Sequence, residues 1–93
     1  MDTLQLFRKK DSVKSLIFSI LSKEYPLRTI ELANYIAKRY GKDITFQAVR
    51  KSLREFVHAG VLVENEKRYR INKEWVLECR NELDRIYQEL VKE

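Results

Sequence analysis

The sequence predicts an α+β fold that is mainly helical and carries one small β-hairpin. Apolar residues recur at the helical spacing of about 3.6 residues in four segments of the chain. A short apolar run at positions 61–63 and an alternation of polar and apolar residues at positions 68–71 flank a polar turn, which is typical of a hairpin. With only two glycines and one proline in 93 residues, long loops are not expected, and this length corresponds to one folded domain.

The first predicted helix begins at Asp11 or Ser12, because either side chain can accept hydrogen bonds from the open amides of a helix start. It must end before Pro26, since proline restricts the residue before it and has no amide hydrogen. Leu27 and Arg28 then form a short extended link that could be one strand of a small sheet. The inward-facing stripe of this helix is Val13, Leu16, Ile17, Ile20 and Leu21.

The second predicted helix has Thr29 as its N-cap and Glu31 in its first turn, where a negative charge is favourable. Gly41 ends the helix, because glycine readily adopts the left-handed conformation that closes one. In the turn that follows, Ile44 is expected to insert into the core. The residues of this helix expected to face the core are Leu32, Ala33, Ile36, Ala37 and Tyr40.

The third predicted helix is capped by Thr45 and ended by Gly60. Its expected inner face is Phe46, Val49, Leu53, Phe56 and Val57. Its opposite face carries Gln47, Arg50, Lys51, Arg54 and His58. A helix with an apolar back and a basic, hydrogen-bonding front suits the major groove of DNA, although exposed helix faces also carry Arg and Lys merely for solvation.

The last predicted helix follows the hairpin, whose turn is expected at residues 64–67, and it is capped by Asn72. An apolar stripe at heptad spacing consists of Val76, Cys79, Leu83, Ile86 and Leu90, and Trp75 and Tyr87 widen it. Core packing between hairpin and helix is expected to account for Tyr69, Trp75 and Tyr87. A helix about 30 Å long exceeds what so small a domain covers, so the stripe predicts a homodimer.

The charges are unevenly distributed along the chain, whose net charge is +5. Residues 1–71 hold 15 Lys or Arg and 8 Asp or Glu, whereas residues 72–93 hold 4 and 6. The basic excess therefore accompanies the third helix and favours a polyanionic partner. We divide the chain into an N-terminal extension (1–11), a central domain (12–71) and a C-terminal helix (72–93). The extension could be a helix on a partner subunit, an arm touching phosphates, or a partly ordered terminus.

The order of helix, short strand, helix, turn, helix, hairpin and long helix resembles the winged helix-turn-helix superfamily, in the style of small MarR-, ArsR- and PadR-like transcriptional regulators of bacteria and archaea. The local matches are Leu32-Ala33, the run at residues 49–53 and the run at residues 59–62. The resemblance implies that the third helix is the recognition helix of a homodimeric regulator that binds double-stranded DNA.

Carried onto this chain, the resemblance implies base contacts from Gln47, Arg50 and Lys51, with Arg54 one turn further along. Lys51 and Arg54 could instead hold phosphates, and Thr45 and Lys42 are further phosphate contacts. The wing would contribute Lys67, Arg68 and Arg70. Glu64 and Glu66 depart from the family pattern, because they place negative charge on a wing with a short tip.

Other classes of function lack their usual residues. The single cysteine, Cys79, permits no intrachain disulfide and no ordinary zinc site, and a packing role is favoured over a redox role. No nucleophile elbow, phosphate-binding glycine loop or carboxylate pair indicates an enzyme or a cofactor, and no small-molecule effector is evident. With neither a secretory leader nor a bilayer-length apolar run, a cytoplasmic protein is expected. The alternative to DNA binding is a winged helix used as a protein-interaction module.

Overall fold

The computed structural model describes residues 12–92, and it combines four helices with a three-stranded antiparallel sheet. The helices are α1 (Val13–Leu21), α2 (Thr29–Tyr40), α3 (Phe46–His58) and α4 (Lys73–Val91), and the strands are β1 (Leu27–Arg28), β2 (Leu62–Asn65) and β3 (Arg68–Ile71). The predicted α+β class is therefore confirmed. The predicted extension at residues 1–11 lies outside the described residues.

Side-chain caps define where three of the helices begin, as the sequence predicted. The hydroxyl of Ser12 accepts a hydrogen bond from the amide of Ser15 at 3.1 Å, and Thr45 accepts one from Ala48 at 3.1 Å. Asn72 caps α4 through its side-chain oxygen, which accepts from Glu74 at 3.1 Å. Each cap satisfies one of the amides that a helix start leaves without an intrahelical partner.

The predicted cap of α2 is wrong by one residue. Thr29 is already helical, and Arg28 is the N-cap. The reason is that β1 continues directly into α2, so that Arg28 pairs with Arg68 in the sheet and ends the strand. The carboxylate of Glu31 accepts a hydrogen bond from the Arg28 amide at 2.9 Å, which gives this amide a partner without a hydroxyl cap.

The sheet has the order β1-β3-β2, so the short link before α2 is its third strand. β2 and β3 pair from Leu62 with Ile71 to Asn65 with Arg68. The predicted four-residue turn is wrong, because only two residues, Glu66 and Lys67, connect the strands. Both have positive φ, of 53° and 63°, as in the two-residue turns that match the twist of a hairpin.

Lys67→Gly is expected to stabilise the fold by about 1 kcal/mol, because glycine adopts positive φ without the steric cost that a side chain carries. Chemical denaturation followed by circular dichroism measures the change. Lys67→Ala is the matched control, since it removes the same charge and keeps the Cβ. If alanine stabilises as much as glycine, the charge rather than the backbone conformation is responsible.

The core lies where α1, α2 and α3 meet one another and the sheet. Its buried apolar residues are Leu16, Ile17, Ile20, Leu21, Leu27, Leu32, Ile36, Val49, Leu53, Phe56, Val61, Leu62 and Tyr69. Four predicted inward residues are instead exposed, namely Ala37, Tyr40, Phe46 and Val57. They lie at helix ends or at the edge of the buried stripe, where no neighbouring element extends far enough to cover them. Ile44 packs against the core, as predicted.

Helix α4 is attached to the domain only near its beginning, and none of its residues is buried. Trp75 packs edge-to-face on Phe18 of α1, with ring centroids 5.8 Å apart. The core role predicted for Tyr87 is wrong, because this ring is 62% exposed three turns further along a helix that leaves the domain. Among the helices of residues 12–92, none is both long and apolar enough to cross a membrane.

Candidate nucleic-acid interface

Helix α3 presents a polar face to solvent because its opposite face is fixed in the core. Val49, Ser52, Leu53 and Phe56 are buried. The exposed side holds all five residues that the sequence predicted there, namely Gln47, Arg50, Lys51, Arg54 and His58. At about 100° per residue, these two sets lie on opposite sides of the helix.

No acidic residue interrupts this exposed face. The one acidic residue of α3, Glu55, lies on its flank, and its carboxylate is 3.4 Å from the Lys14 ammonium of α1. Gln47 and Lys51 lie near the beginning of the helix, and Arg54 follows within one turn of Lys51. The face therefore combines fixed positive charge with side-chain hydrogen-bond donors.

A cleft of about 420 Å³ separates α3 from the hairpin. It is lined by Arg50, Arg54, Val57 and His58 from α3, and by Glu64 and Tyr69 from β2 and β3. Glu64 and Tyr69 are paired across the two strands, which places both side chains on the same face of the hairpin. The cleft thus brings one carboxylate to the edge of the basic face.

Tyr69 forms the floor of this cleft and is only 7% exposed. Burial and the neighbouring Glu64 carboxylate raise the pKa of Tyr69, while Thr29 and the positive charge of Arg50 lower it to a smaller extent. The phenol therefore remains a protonated hydrogen-bond donor at neutral pH. The sequence favoured a core role for Tyr69 over a ligand pocket shared with Trp75 and Tyr87, and it did not predict the proximity of Tyr69 to Arg50, which depends on how the hairpin packs beside α3.

The predicted contacts of the wing lie at the tip of the hairpin and on the hairpin face opposite to Tyr69. Lys67 is at the tip, whereas Arg68 and Arg70 alternate with Tyr69 along β3 and so point to the other face. The guanidinium of Arg70 lies 5.7 Å from the ring centroid of Tyr25, on the side of the sheet away from the cleft. The structure therefore brings Arg50, Arg54 and His58 together and separates them from Arg68 and Arg70.

The two predicted phosphate contacts before α3 are placed at its positive end. Thr45 accepts the capping bond from Ala48, and its hydroxyl proton can still be donated to a ligand. Lys42 is partly exposed in the turn between α2 and α3. Residues 12–92 contain no group of three or more His, Cys, Asp or Glu that could hold a metal ion.

The chain matches no protein-family model, no curated protein and no solved structure.

Proposed function

We propose that this chain is a winged-helix protein that binds duplex DNA through α3, and that it acts in the cytoplasm as a homodimeric transcriptional regulator. The observation that carries the proposal is the exposed face of α3. It holds Gln47, Arg50, Lys51 and Arg54, without an acidic residue, on a helix whose opposite side is buried. Such a helix can enter a major groove while the domain behind it stays folded.

The neighbouring elements support this assignment. Helix α2 and the turn ending at Thr45 lead directly into α3, in the order expected for a helix-turn-helix unit. The β2–β3 hairpin stands beside α3 as a wing would, with Lys67 at its tip. The N-terminal end of α3 adds backbone amides that attract phosphate oxygens.

Individual side chains then take different roles in recognition. Arg50 donates two hydrogen bonds to the O6 and N7 atoms of guanine, and Gln47 forms two hydrogen bonds with the N6 and N7 atoms of adenine. Lys51 and Arg54 bind phosphates, which positions the helix without specifying sequence. Lys67 at the tip of the wing contacts the DNA backbone, whereas Arg68 and Arg70 lie on the face of the hairpin away from the cleft, where Arg70 contacts Tyr25.

A protein-interaction module is the second candidate, and one observation favours it. The apolar side chains of α4 are exposed, with Leu83 at 62% and Leu90 at 60%. A partner protein could bind there without any contribution from α3. A DNA-binding protein would show nucleic-acid binding that weakens with salt and depends on the exposed face of α3. A protein-interaction module would show neither dependence.

The test is fluorescence anisotropy of labelled random duplex DNA across a series of salt concentrations. Binding by the unmodified protein is expected to weaken steeply with salt, because cations of the protein displace condensed counterions. Lys51→Ala/Arg54→Ala is expected to weaken binding to all sequences and to reduce the slope of log K against log salt by about 2, or about 1 for each lost phosphate contact.

Lys23→Ala/Lys38→Ala is the matched control, since it removes the same charge from exposed positions outside α3 and the hairpin. The slope of log K against log salt for this control variant is expected to stay close to the slope for the unmodified protein. Equal losses in both double variants would mean that net charge, rather than the face of α3, carries the binding. No binding even at low salt would favour the protein-interaction module.

A further inference from the structure

The apolar stripe of α4 continues beyond the part of the helix that touches the domain. Val76 is 46% exposed and Ile86 is 41% exposed, and no residue of α4 is buried. A contiguous exposed stripe of this kind marks an interaction surface in a small protein. Because the proposed function includes a homodimer, the inference below rests on that proposal and concerns how the two copies are arranged.

The widened stripe contains a set of positions whose spacing is the same from either end when Tyr87 is taken in place of Ile86. From Val76 through Cys79, Leu83 and Tyr87 to Leu90, the steps are three, four, four and three residues. Two such helices running in opposite directions, with Leu83 at the centre, therefore place Val76 opposite Leu90 of the partner subunit. The same register places Cys79 opposite Tyr87 of the partner subunit.

An apolar groove of about 610 Å³ lies at the base of α4, where Val76 is part of both the groove and the stripe. Its other apolar walls come from Phe18 and Leu21 of α1 and from Val63 and Ile71 of the hairpin. A helix lying antiparallel along α4 would bring its carboxyl end to this groove. The side chains that arrive there, Leu90 and Val91 of the partner subunit, are 60% and 55% exposed within their own chain.

We propose that two copies of this chain pair antiparallel through α4, and that the carboxyl end of each α4 fills the groove at the base of the other. The charges beside the stripe fit this arrangement. Arg80 lies next to Asp84 of the partner subunit, and this pair occurs twice because of the two-fold axis. On the other flank Glu82 approaches its own copy, but each Glu82 is already paired with Arg85 of its own chain.

In a parallel pair, the carboxyl end of each α4 would not reach the groove, and Arg80 would not lie next to Asp84 of the partner subunit. Such a pair would bring both domains to one end of the helix pair, each Cys79 would face its own copy, and each Leu90 would lie far from the groove. Along a helix that rises about 1.5 Å per residue, Val76 and Leu90 are about 21 Å apart. In the antiparallel pair the Leu90 side chain that reaches the groove is therefore that of the partner subunit, since Leu90 of the same chain lies too far along its own helix.

Disulfide cross-linking distinguishes the two directions, because a disulfide requires Cα atoms within about 7 Å. Val76→Cys/Leu90→Cys, built on Cys79→Ser, is expected to convert most of the protein into a covalent dimer under mild oxidation. Each single cysteine variant on the same background is the matched control and is expected to remain largely uncross-linked. The unmodified protein is also expected to resist disulfide cross-linking, since antiparallel pairing offsets the two Cys79 residues by about 12 Å along the helices.

Light scattering after size exclusion, with far-ultraviolet circular dichroism to establish folding, accompanies the cross-linking. A folded monomer at high micromolar concentration would overturn the inference, as would rapid disulfide formation through Cys79 without cross-linking of the double variant. A folded monomer that keeps the salt-dependent DNA binding described above would reject the α4 pairing while leaving DNA binding through α3 intact. The two proposals can therefore fail separately.

Discussion

Phe56→Ala is expected to lower the free energy of unfolding by about 3–5 kcal/mol, the range typical of a buried phenylalanine replaced by alanine. Phe56 is 2% exposed on the inner face of α3, and the Lys14 ammonium lies 5.8 Å from its ring centroid. The substitution removes the ring from the core that α1, α2 and the sheet share with α3. A small domain is stable by only about 5–15 kcal/mol, so this loss is a large part of the total.

Phe46→Ala is the control for this prediction, since it makes the same change ten residues earlier in the same helix, where the side chain is 45% exposed. We expect it to cost only about 1–2 kcal/mol, because nearly half of its surface stays in water and its removal leaves no enclosed cavity. Urea denaturation followed by circular dichroism compares the two variants. Similar losses at both positions would show that α3 is not oriented as described.

The secondary structure was largely predictable because its determinants are local. Ser12, Thr45 and Asn72 cap their helices, and Gly41 closes α2 with a φ of 61°, each through contacts within a few residues. The helical spacing of apolar residues identified the four helices for the same reason. The error at Thr29 arose because strand pairing between Arg28 and Arg68 joins positions 40 residues apart in the sequence.

Burial was less predictable than secondary structure. Periodicity shows which side of a helix is apolar, but it does not show how far the neighbouring elements extend. Tyr40 and Phe46 belong to the apolar stripes of α2 and α3, yet they are 42% and 45% exposed because each lies at a helix end. The two-residue turn at Glu66 and Lys67 was also not predicted, because neither residue type usually adopts the positive φ that this turn requires.

The basic face of α3 was predictable from sequence, whereas the cleft beside it was not. The face follows from the positions of Arg50 and Arg54 relative to buried residues of the same helix. The cleft depends on the hairpin, which brings Glu64 and Tyr69 next to Arg50 from later in the chain. No local pattern indicates that contact, and the raised pKa of Tyr69 becomes understandable only from the packed structure.

Asn72 connects the proposed DNA-binding and dimerisation elements. Its side-chain amide donates to the carbonyl of Gly60 at 2.9 Å, and its backbone amide donates to that of Val61 at 2.9 Å. The residue therefore joins the end of α3 to the start of α4. Since α4 is fixed relative to α3 in this way, pairing of two α4 helices would also set the separation of two α3 helices, which must be near 34 Å to meet successive major grooves.

Arg50→Ala is expected to reduce discrimination at one base pair of the bound site by about 1–3 kcal/mol, which is the contribution of a bidentate contact between arginine and guanine. Arg50 lies between the exposed face of α3 and the cleft, and it is close enough to Tyr69 for its charge to act on the phenol. The substitution removes the pair of donors that the guanidinium would present to guanine but leaves the buried face of α3 unchanged. Selection of binding sites from a random duplex pool, followed by competition with single-base variants of the selected site, measures the loss.

Arg50→Lys and Arg54→Ala separate base reading from charge. Lysine keeps the positive charge but lacks the planar pair of donors, so Arg50→Lys is expected to retain most of the salt dependence and to lose part of the discrimination. Arg54→Ala is expected to weaken binding to all DNA sequences alike, because the proposed contact of Arg54 is a phosphate. If Arg50→Ala instead weakens every sequence equally, Arg50 holds a phosphate, and base reading must come from Gln47 or Lys51 on the same exposed face.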